Sequence, residues 1–284
     1  MAARQNVFSV LRQGVKILRH AEVDSPSLSA QVLLANLLDC DRLDLITHPE
    51  RSLTPQEIDQ FQKNISRRAQ GVPVAYLTGS KEFFGLDFYV NQDVLIPRPE
   101  TECIIEEVLH FFPRQSTPLR IADLGTGSGA LAISLAFNYP AASVAGTDIC
   151  SAALQVAKNN IRRHAQGSRL ILALSDFGSC LADDSFDVVV SNPPYIGPDE
   201  FATLSPEVSA FEPEKALLAG ENGTRFYSKL ARDAQRILKR NGRVLVEIGC
   251  SQGQDVTLAF RRFADVRVIK DLAGLDRIVV GRKP

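Results

Sequence analysis

A planar amino group is held by acceptors for its two hydrogens and a flat surface for its face, and Asn192-Pro193-Pro194-Tyr195 offers all of these. The asparagine oxygen accepts, and the prolines contribute carbonyls on a backbone fixed at φ of about −65° with no N–H of its own. Tyr195 supplies the aromatic face. Amide and aromatic amino nitrogens are poor nucleophiles because their lone pair is delocalised, so holding the nitrogen in line with a strong electrophile is the main help a protein gives. Taken in isolation, the same four residues read equally well as turn punctuation.

What precedes them separates the two readings. The β-branched run Phe186 to Ser191 predicts a buried strand whose carboxyl end opens at Asn192, where open α/β sheets bind ligands. Upstream, Leu119 to Leu124 reads as another strand, followed by Gly125-Thr126-Gly127-Ser128-Gly129 and a helix over Ala130 to Ala136. Such glycines let backbone approach a ligand and present N–H groups at a helix start. With Ala130 the run also satisfies the dinucleotide pattern, so NAD competes at this point. The strand Ser143 to Thr147 ends in Asp148, a carboxylate placed for ribose hydroxyls or, alternatively, for capping a helix from Ser151. After Leu170 to Leu174 come Ser175-Asp176-Phe177, an acid for an adenine amino group and a ring for its face, with core packing as the plainer role of Phe177.

In this order the motifs resemble S-adenosylmethionine-dependent methyltransferases that modify planar amino groups. Gly71-Val72-Pro73-Val74-Ala75-Tyr76-Leu77-Thr78-Gly79, Phe83 to Phe88 and Val94 to Glu102 are similar to the segment preceding the cofactor domain in the PrmC (HemK) family. Phe211-Glu212-Pro213, Ala216-Leu217, Gly220, Gly223, Tyr227, Glu247-Ile248-Gly249 and Gln252 resemble its later segments. The resemblance implies a seven-stranded Rossmann-like class I methyltransferase domain, α/β in class, with a small N-terminal helical domain. It implies methyl transfer to the side-chain amide nitrogen of the glutamine in the Gly-Gly-Gln motif of class I peptide chain release factors. The reaction then expected is an in-line displacement leaving S-adenosyl-L-homocysteine, without metal or covalent enzyme intermediate.

By the same resemblance, Gly125, Thr126, Gly127, Ser128 and Gly129 cradle the methionine part of the cofactor, and Asp148 holds the ribose. Asp176 and Phe177 border the adenine; many relatives carry Trp where this chain, which has none, has Phe177. Asn192 touches cofactor and substrate, Pro193 accepts the second amide hydrogen, Pro194 belongs to the substrate loop and Tyr195 packs on the amide plane. Arg98, Pro99 and Glu100 lie beside the cofactor, or else form a salt-bridged loop with Pro99 opening a helix.

The elements that must position these residues divide as residues 1–78 helical and partner-recognising, 79–98 a β-hairpin connector, and 99–284 the methyltransferase domain. Helices are predicted over Val7–Ala21, Pro26–Leu38, Leu43–Thr47 and Pro55–Gln70, the last opened by the box Thr54-Pro55-Gln56-Glu57. Val7, Val10, Leu11, Ile17 and Leu18 form the core stripe of the first. The hairpin is expected within Phe83–Ile96, and a helix over Pro99–Phe112 leads into the cofactor domain. Strands over Arg243–Glu247, Val266–Lys270 and Arg277–Gly281 bring the total to seven, the final one antiparallel. The long loop after Tyr195 is expected to cover the substrate entrance.

Composition sets outer limits. A net charge of −1, with nine basic and eight acidic residues in the first seventy-five, argues against direct nucleic-acid contact. No apolar run reaches the roughly 20 residues of a membrane span, and a cytoplasmic location is expected. Cysteines 40, 103, 150, 180 and 250 read as reduced, buried thiols, and four scattered histidines suggest neither zinc nor a triad. Competing functions are a nucleic-acid amino methyltransferase gripping a flipped base with the same loop, a ribosomal-protein glutamine methyltransferase, and a nucleotide-binding NAD enzyme in which Asn192 to Tyr195 have no task.

Overall fold

The computed structural model describes residues 5–220 and 222–284. They divide into two units, residues 5–79 with 205–211 and residues 80–204 with 212–220 and 222–284.

The first unit holds α1 (Val7–His20), α2 (Pro26–Leu38), α3 (Arg42–Thr47), α4 (Pro55–Ala69) and α5 (Val74–Thr78). The predicted box opens α4: Thr54 N–H donates to Glu57 Oε2 at 2.7 Å, and Glu57 N–H to Thr54 Oγ1 at 3.2 Å. On α1 the buried residues are Val7, Val10, Gly14 and Leu18, whereas Ile17, expected in the stripe, is 45% exposed. Gly14 explains the correction, since a Cβ there would sit 2.9 Å from the Phe61 ring. Its bareness brings α1 onto α4 along the 7-10-14-18 face and turns Ile17 outward. Leu33, Leu34, Phe61 and Ile65 complete this core, each contributing about 1.5–3 kcal/mol by burial. Residues 205–211 join the unit through Glu207, 2.8 Å from the buried Arg68 guanidinium, and through Phe211, whose ring lies against Gly71.

The second unit begins with a hairpin of β1 (Ser80–Phe83) and β2 (Leu86–Tyr89). It then runs through α6 (Glu102–Phe111), β3 (Arg120–Leu124), α7 (Ala130–Asn138), β4 (Ser143–Asp148), α8 (Ser151–Arg163), β5 (Leu170–Leu174) and β6 (Phe186–Ser191). After α9 (Pro198–Phe201), and after α10 (Pro206–Ser209) of the first unit, come α11 (Tyr227–Ile237), β7 (Leu238–Glu247), α12 (Gly253–Ala259), β8 (Ala264–Lys270) and β9 (Asp276–Arg282). The sheet has seven strands in the order β5-β4-β3-β6-β7-β9-β8; β9 runs antiparallel to both neighbours, and the other pairings are parallel. Ile121, Ala122, Val188, Val189 and Val190 are fully buried, as strands covered on both faces require. From β3 the chain steps outward to β4 and β5, then returns to β6 on the other side of β3. The resulting switch point lies between β3 and β6, where a crevice opens beyond the carboxyl ends. Ser191 Oγ–H ties the two ends together, donating to the Leu124 carbonyl at 2.6 Å.

Three expectations are corrected. The hairpin occupies Ser80–Tyr89 and not Phe83–Ile96, because Phe84 and Gly85, at φ +50° and +74°, make the two-residue turn that matches strand twist. The helix expected from Pro99 starts as a single 3₁₀ turn over Pro99–Thr101 before α6. The five cysteines are free, but none is fully buried, and Cys180 and Cys250 are exposed because each falls in a loop after a strand. Among the described residues no helix is long and apolar enough to cross a membrane.

Candidate active site

The glycine turn fills the gap between β3 and α7. Gly125, Gly127 and Gly129 have φ of +80°, +55° and +82°, a region that side-chain-bearing residues seldom adopt. Gly129 also sits where a Cβ would come 3.1 Å from Ile133 and 3.4 Å from Ala157, so it permits close helix packing, whereas a Cβ on Gly127 would meet nothing within 4 Å. Asp148 fastens the turn: Gly127 N–H donates to its Oδ2 at 2.9 Å and Cys150 N–H to its Oδ1 at 2.9 Å. The cap of the helix from Ser151 is Cys150 and not Asp148, whose side chain reaches only the Cys150 N–H before the helix and lines the site cavity. Burial raises its carboxyl pKa, partly opposed by these backbone N–H groups.

Beneath the turn lies Asp123. Its Oδ2 accepts from Thr126 Oγ1–H at 2.6 Å and Ala132 N–H at 3.2 Å, while its buried Oδ1 has no partner among the described residues. Desolvation pushes this carboxyl up to about 7, with Asp148 adding to the rise against the two hydrogen bonds.

Across the switch point, Asn192 donates from Nδ2 to Thr101 Oγ1 at 2.9 Å, and Thr101 Oγ1 lies 2.6 Å from Oε2 of the buried Glu247. Tyr195 O–H reaches the other oxygen of Glu247 at 3.2 Å. The same loop is braced from behind by Gln252, whose Nε2 donates to the Tyr195 carbonyl at 2.8 Å and whose Oε1 accepts from Tyr227 O–H at 3.2 Å and Gly249 N–H at 3.0 Å. Glu212 clips two further loops, accepting from Ile96 N–H at 3.1 Å and pairing with Arg98. Arg98 is thus salt-bridged, to Glu212, and Pro99 does open a helical turn.

A cavity of about 490 Å³ gathers most of the predicted residues. Gly125, Thr126, Gly127, Ser128, Asp148, Asp176, Phe177, Asn192 and Pro194 line it; Gly129, Pro193 and Tyr195 do not. Pro193 is buried, and the Tyr195 hydroxyl is directed to Glu247. Phe177, in the left-handed region at φ +49°, lines the cavity and stacks edge-on to Phe226 at 5.8 Å, so its packing and site roles coincide. Sequence reasoning passed over Asp123, Thr101 and the brace function of Glu247 and Gln252. For Asp123 and Glu247 a signal existed: each is the lone carboxylate of its strand and lies at or next to the carboxyl end, directly after the apolar stretches Ile121-Ala122 and Val244-Leu245-Val246. Thr101 carried none, since its partners lie 91 and 146 positions away.

Residues 9–79 match the PrmC N-terminal domain, and residues 107–204 match the Methyltransferase small domain. A release factor glutamine methyltransferase of Nitratidesulfovibrio vulgaris is 41% identical over 279 residues, covering 96% of this chain and 94% of its own. One from Koribacter versatilis is 42% identical over 271 residues, covering 95% and 96%. The chain belongs to the release factor glutamine methyltransferase family. In fold alone, the chain is like a T. thermophilus 16S rRNA N2 G1207 methyltransferase solved with AdoMet and guanosine, at 17% identity and a TM-score of 0.52, covering 72% of this chain and 50% of that one.

Family membership makes S-adenosylmethionine the expected cofactor, and the cavity fits it. Its volume lies within the roughly 300–1,000 Å³ of ordinary ligand pockets. The unpartnered Asp123 Oδ1 is a buried acceptor suited to a cationic group, and Asp148 at the end of β4 suits hydroxyls. Phe177 and the exposed Ile149 provide flat and apolar surface on the same wall.

Proposed function

We propose that this protein methylates the side-chain amide nitrogen of the glutamine in the Gly-Gly-Gln motif of class I peptide chain release factors. The observation that carries the reading is that Asn192 and the glycine turn border one cavity, so an amide acceptor faces the compartment suited to the methyl donor. Bound there, S-adenosylmethionine supplies an electrophilic methyl group whose C–S bond breaks, with its electron pair going to sulfur, as the glutamine nitrogen forms the new C–N bond.

The chain's own residues bind and orient. Gly125 to Ser128 offer backbone to the methionine part, Asp148 holds the ribose, and Asp176 with Phe177 borders the adenine. Asn192 Oδ1 accepts one amide hydrogen and aligns the nitrogen with the methyl. The main-chain carbonyl of Pro193 takes the second hydrogen, and Pro194 completes the substrate wall. Tyr195 holds the loop through its hydroxyl on Glu247 and lays its ring beside the amide plane. These acceptors favour the positive charge that develops on nitrogen, which is the preorganised electrostatic contribution. The nitrogen becomes acidic as it is alkylated and releases its proton to solvent, so no strong base is required. The helical unit, which matches the PrmC N-terminal domain, recognises the release factor.

Incubation with labelled S-adenosylmethionine and either a release factor or DNA tests the reading. Label is expected on the protein, and Asn192→Ala should lower the rate by about two to three powers of ten, the loss typical of one preorganised contact. Label on DNA and never on protein would overturn it.

A further inference from the structure

We infer that Glu247 and Thr101 are positioning residues that decide which end of the Asn192 amide faces the cavity; this rests on Asn192 accepting a substrate amide hydrogen. Asn192 Nδ2 lies 2.9 Å from Thr101 Oγ1, which lies 2.6 Å from Glu247 Oε2. A threonine hydroxyl has a single proton to donate. With Glu247 ionised that proton points to the carboxylate, so Thr101 offers Asn192 only lone pairs, and Asn192 must meet them with N–H. The end turned away from Thr101 is then Oδ1, the acceptor an incoming amide needs.

Protonation of Glu247 removes this constraint. Its own O–H can donate to Thr101, whose proton swings toward Asn192, and the amide gains by a half-turn that puts its oxygen on Thr101. The cavity then faces NH₂, and the substrate NH₂ meets a donor. The same two atoms thus hold Asn192 in a productive or an unproductive orientation according to one proton.

The surroundings of Glu247 set burial, which favours the proton, against hydrogen bonds that favour the charge. Tyr195 O–H donates to Oε1 at 3.2 Å, completing a shell in which both oxygens accept. Arg277 on β9 favours the charge, although it also serves Asp271 at 2.7 Å; Glu100, on the turn before α6, opposes it. Cys103 on α6 feels the same field, and Tyr227 of α11 donates to the main-chain carbonyl of Glu247 at 3.1 Å. Burial pushes Glu247 up to about 7 despite the Thr101 and Tyr195 hydrogen bonds. The change of orientation therefore falls near neutrality, with the active form on the alkaline side.

The test compares kcat, the KM for release factor and calorimetric S-adenosylmethionine binding in the wild type, Thr101→Ser, Thr101→Val, Glu247→Gln and Asn192→Ala across neutral pH. Thr101→Ser retains the hydroxyl and should keep most of the wild-type kcat. Thr101→Val, nearly isosteric, should lower kcat about 10- to 100-fold while still binding cofactor, the scale of loss that misplacing a reacting group produces. Glu247→Gln should lower kcat and abolish the rise of rate with pH; if that variant does not fold, the Thr101 pair decides. Wild-type kcat in Thr101→Val alongside an impaired Asn192→Ala would overturn this inference and leave the proposed function standing. Full activity in Asn192→Ala would remove the basis of both.

Discussion

Gly223 offers a sharp test of how the reactive loop is held. Its φ is +67°, and a methyl group there would lie 2.3 Å from the Tyr195 carbonyl oxygen and 2.4 Å from Gln252 Nε2. These are the two atoms joined by the 2.8 Å hydrogen bond that braces the loop. In Gly223→Ala the left-handed backbone costs about 1–2 kcal/mol. A carbon against a carbonyl oxygen settles at about 3.3 Å or more, so the carbonyl must retreat by roughly 1 Å. That breaks the brace and leaves a buried partner short, about 1–3 kcal/mol more. Tyr195 stands three residues beyond Asn192, and a displacement of that order at a reacting group lowers rate about 100-fold. Gly274→Ala is the control: its φ is +79°, and nothing lies within 4 Å of its ideal Cβ. Urea unfolding and kcat on a release factor should show Gly274→Ala losing about 1–2 kcal/mol with full activity. Gly223→Ala should lose about 2–5 kcal/mol and most of its rate. Equal stability losses with equal activity in the two variants would refute the reasoning.

Other consequences can be checked by unfolding experiments. Asn160 is fully buried; it accepts from Tyr89 N–H at 2.7 Å and donates to the Tyr89 and Ser128 carbonyls, both at 2.9 Å. Asn160→Ala should therefore cost about 2–4 kcal/mol and loosen the hairpin from α8, seen as lost hydrogen-exchange protection over Ser80–Tyr89. Glu207→Ala leaves the Arg68 guanidinium buried without its 2.8 Å partner and should cost about 1–3 kcal/mol in the helical unit, read as a lower thermal midpoint. Asp123 has a folded pKa of about 7, above the ordinary carboxyl value, so the folded state holds its proton more tightly. The stability from that proton is fully present below the unfolded pKa and is lost as pH rises through about 7. Thermal midpoints of the cofactor-free protein should fall over that window, and fall less in Asp123→Asn.

Much of this architecture was legible because its signals are local. The strands β3 and β6 are built around short apolar runs, Ile121-Ala122 and Val188-Val189-Val190, the glycine turn joins one of them to a helix, and the last strands lack a crossover long enough to be parallel. Nine residues expected from their places at strand ends line the cavity, while much of the rest of its wall, including Phe83, Asp93 and Phe226, comes from segments that carried no such signal. The hairpin's place is not written in the sequence, because Phe84 at positive φ has no sequence signature and Gly85 beside it does not indicate which way the turn faces. Hydrophobic periodicity places Ile17 in the core, since it cannot foresee that Gly14 is a point of close approach to α4. The hydrogen-bond chain from Glu247 through Thr101 to Asn192 joins three segments through side-chain directions that no spacing encodes. Segment 205–211 likewise gave no sign that it clusters with the helices of the first unit.

Mass spectrometry of a class I release factor after reaction, with fragment ions locating the added group, tests the role of Asn192 and its cavity most directly. One methyl group is expected on the side-chain nitrogen of the Gly-Gly-Gln glutamine, and it should be nearly absent when Asn192→Ala replaces the wild type. A methyl on another residue, or an unmodified release factor beside a methylated nucleic acid, would contradict it.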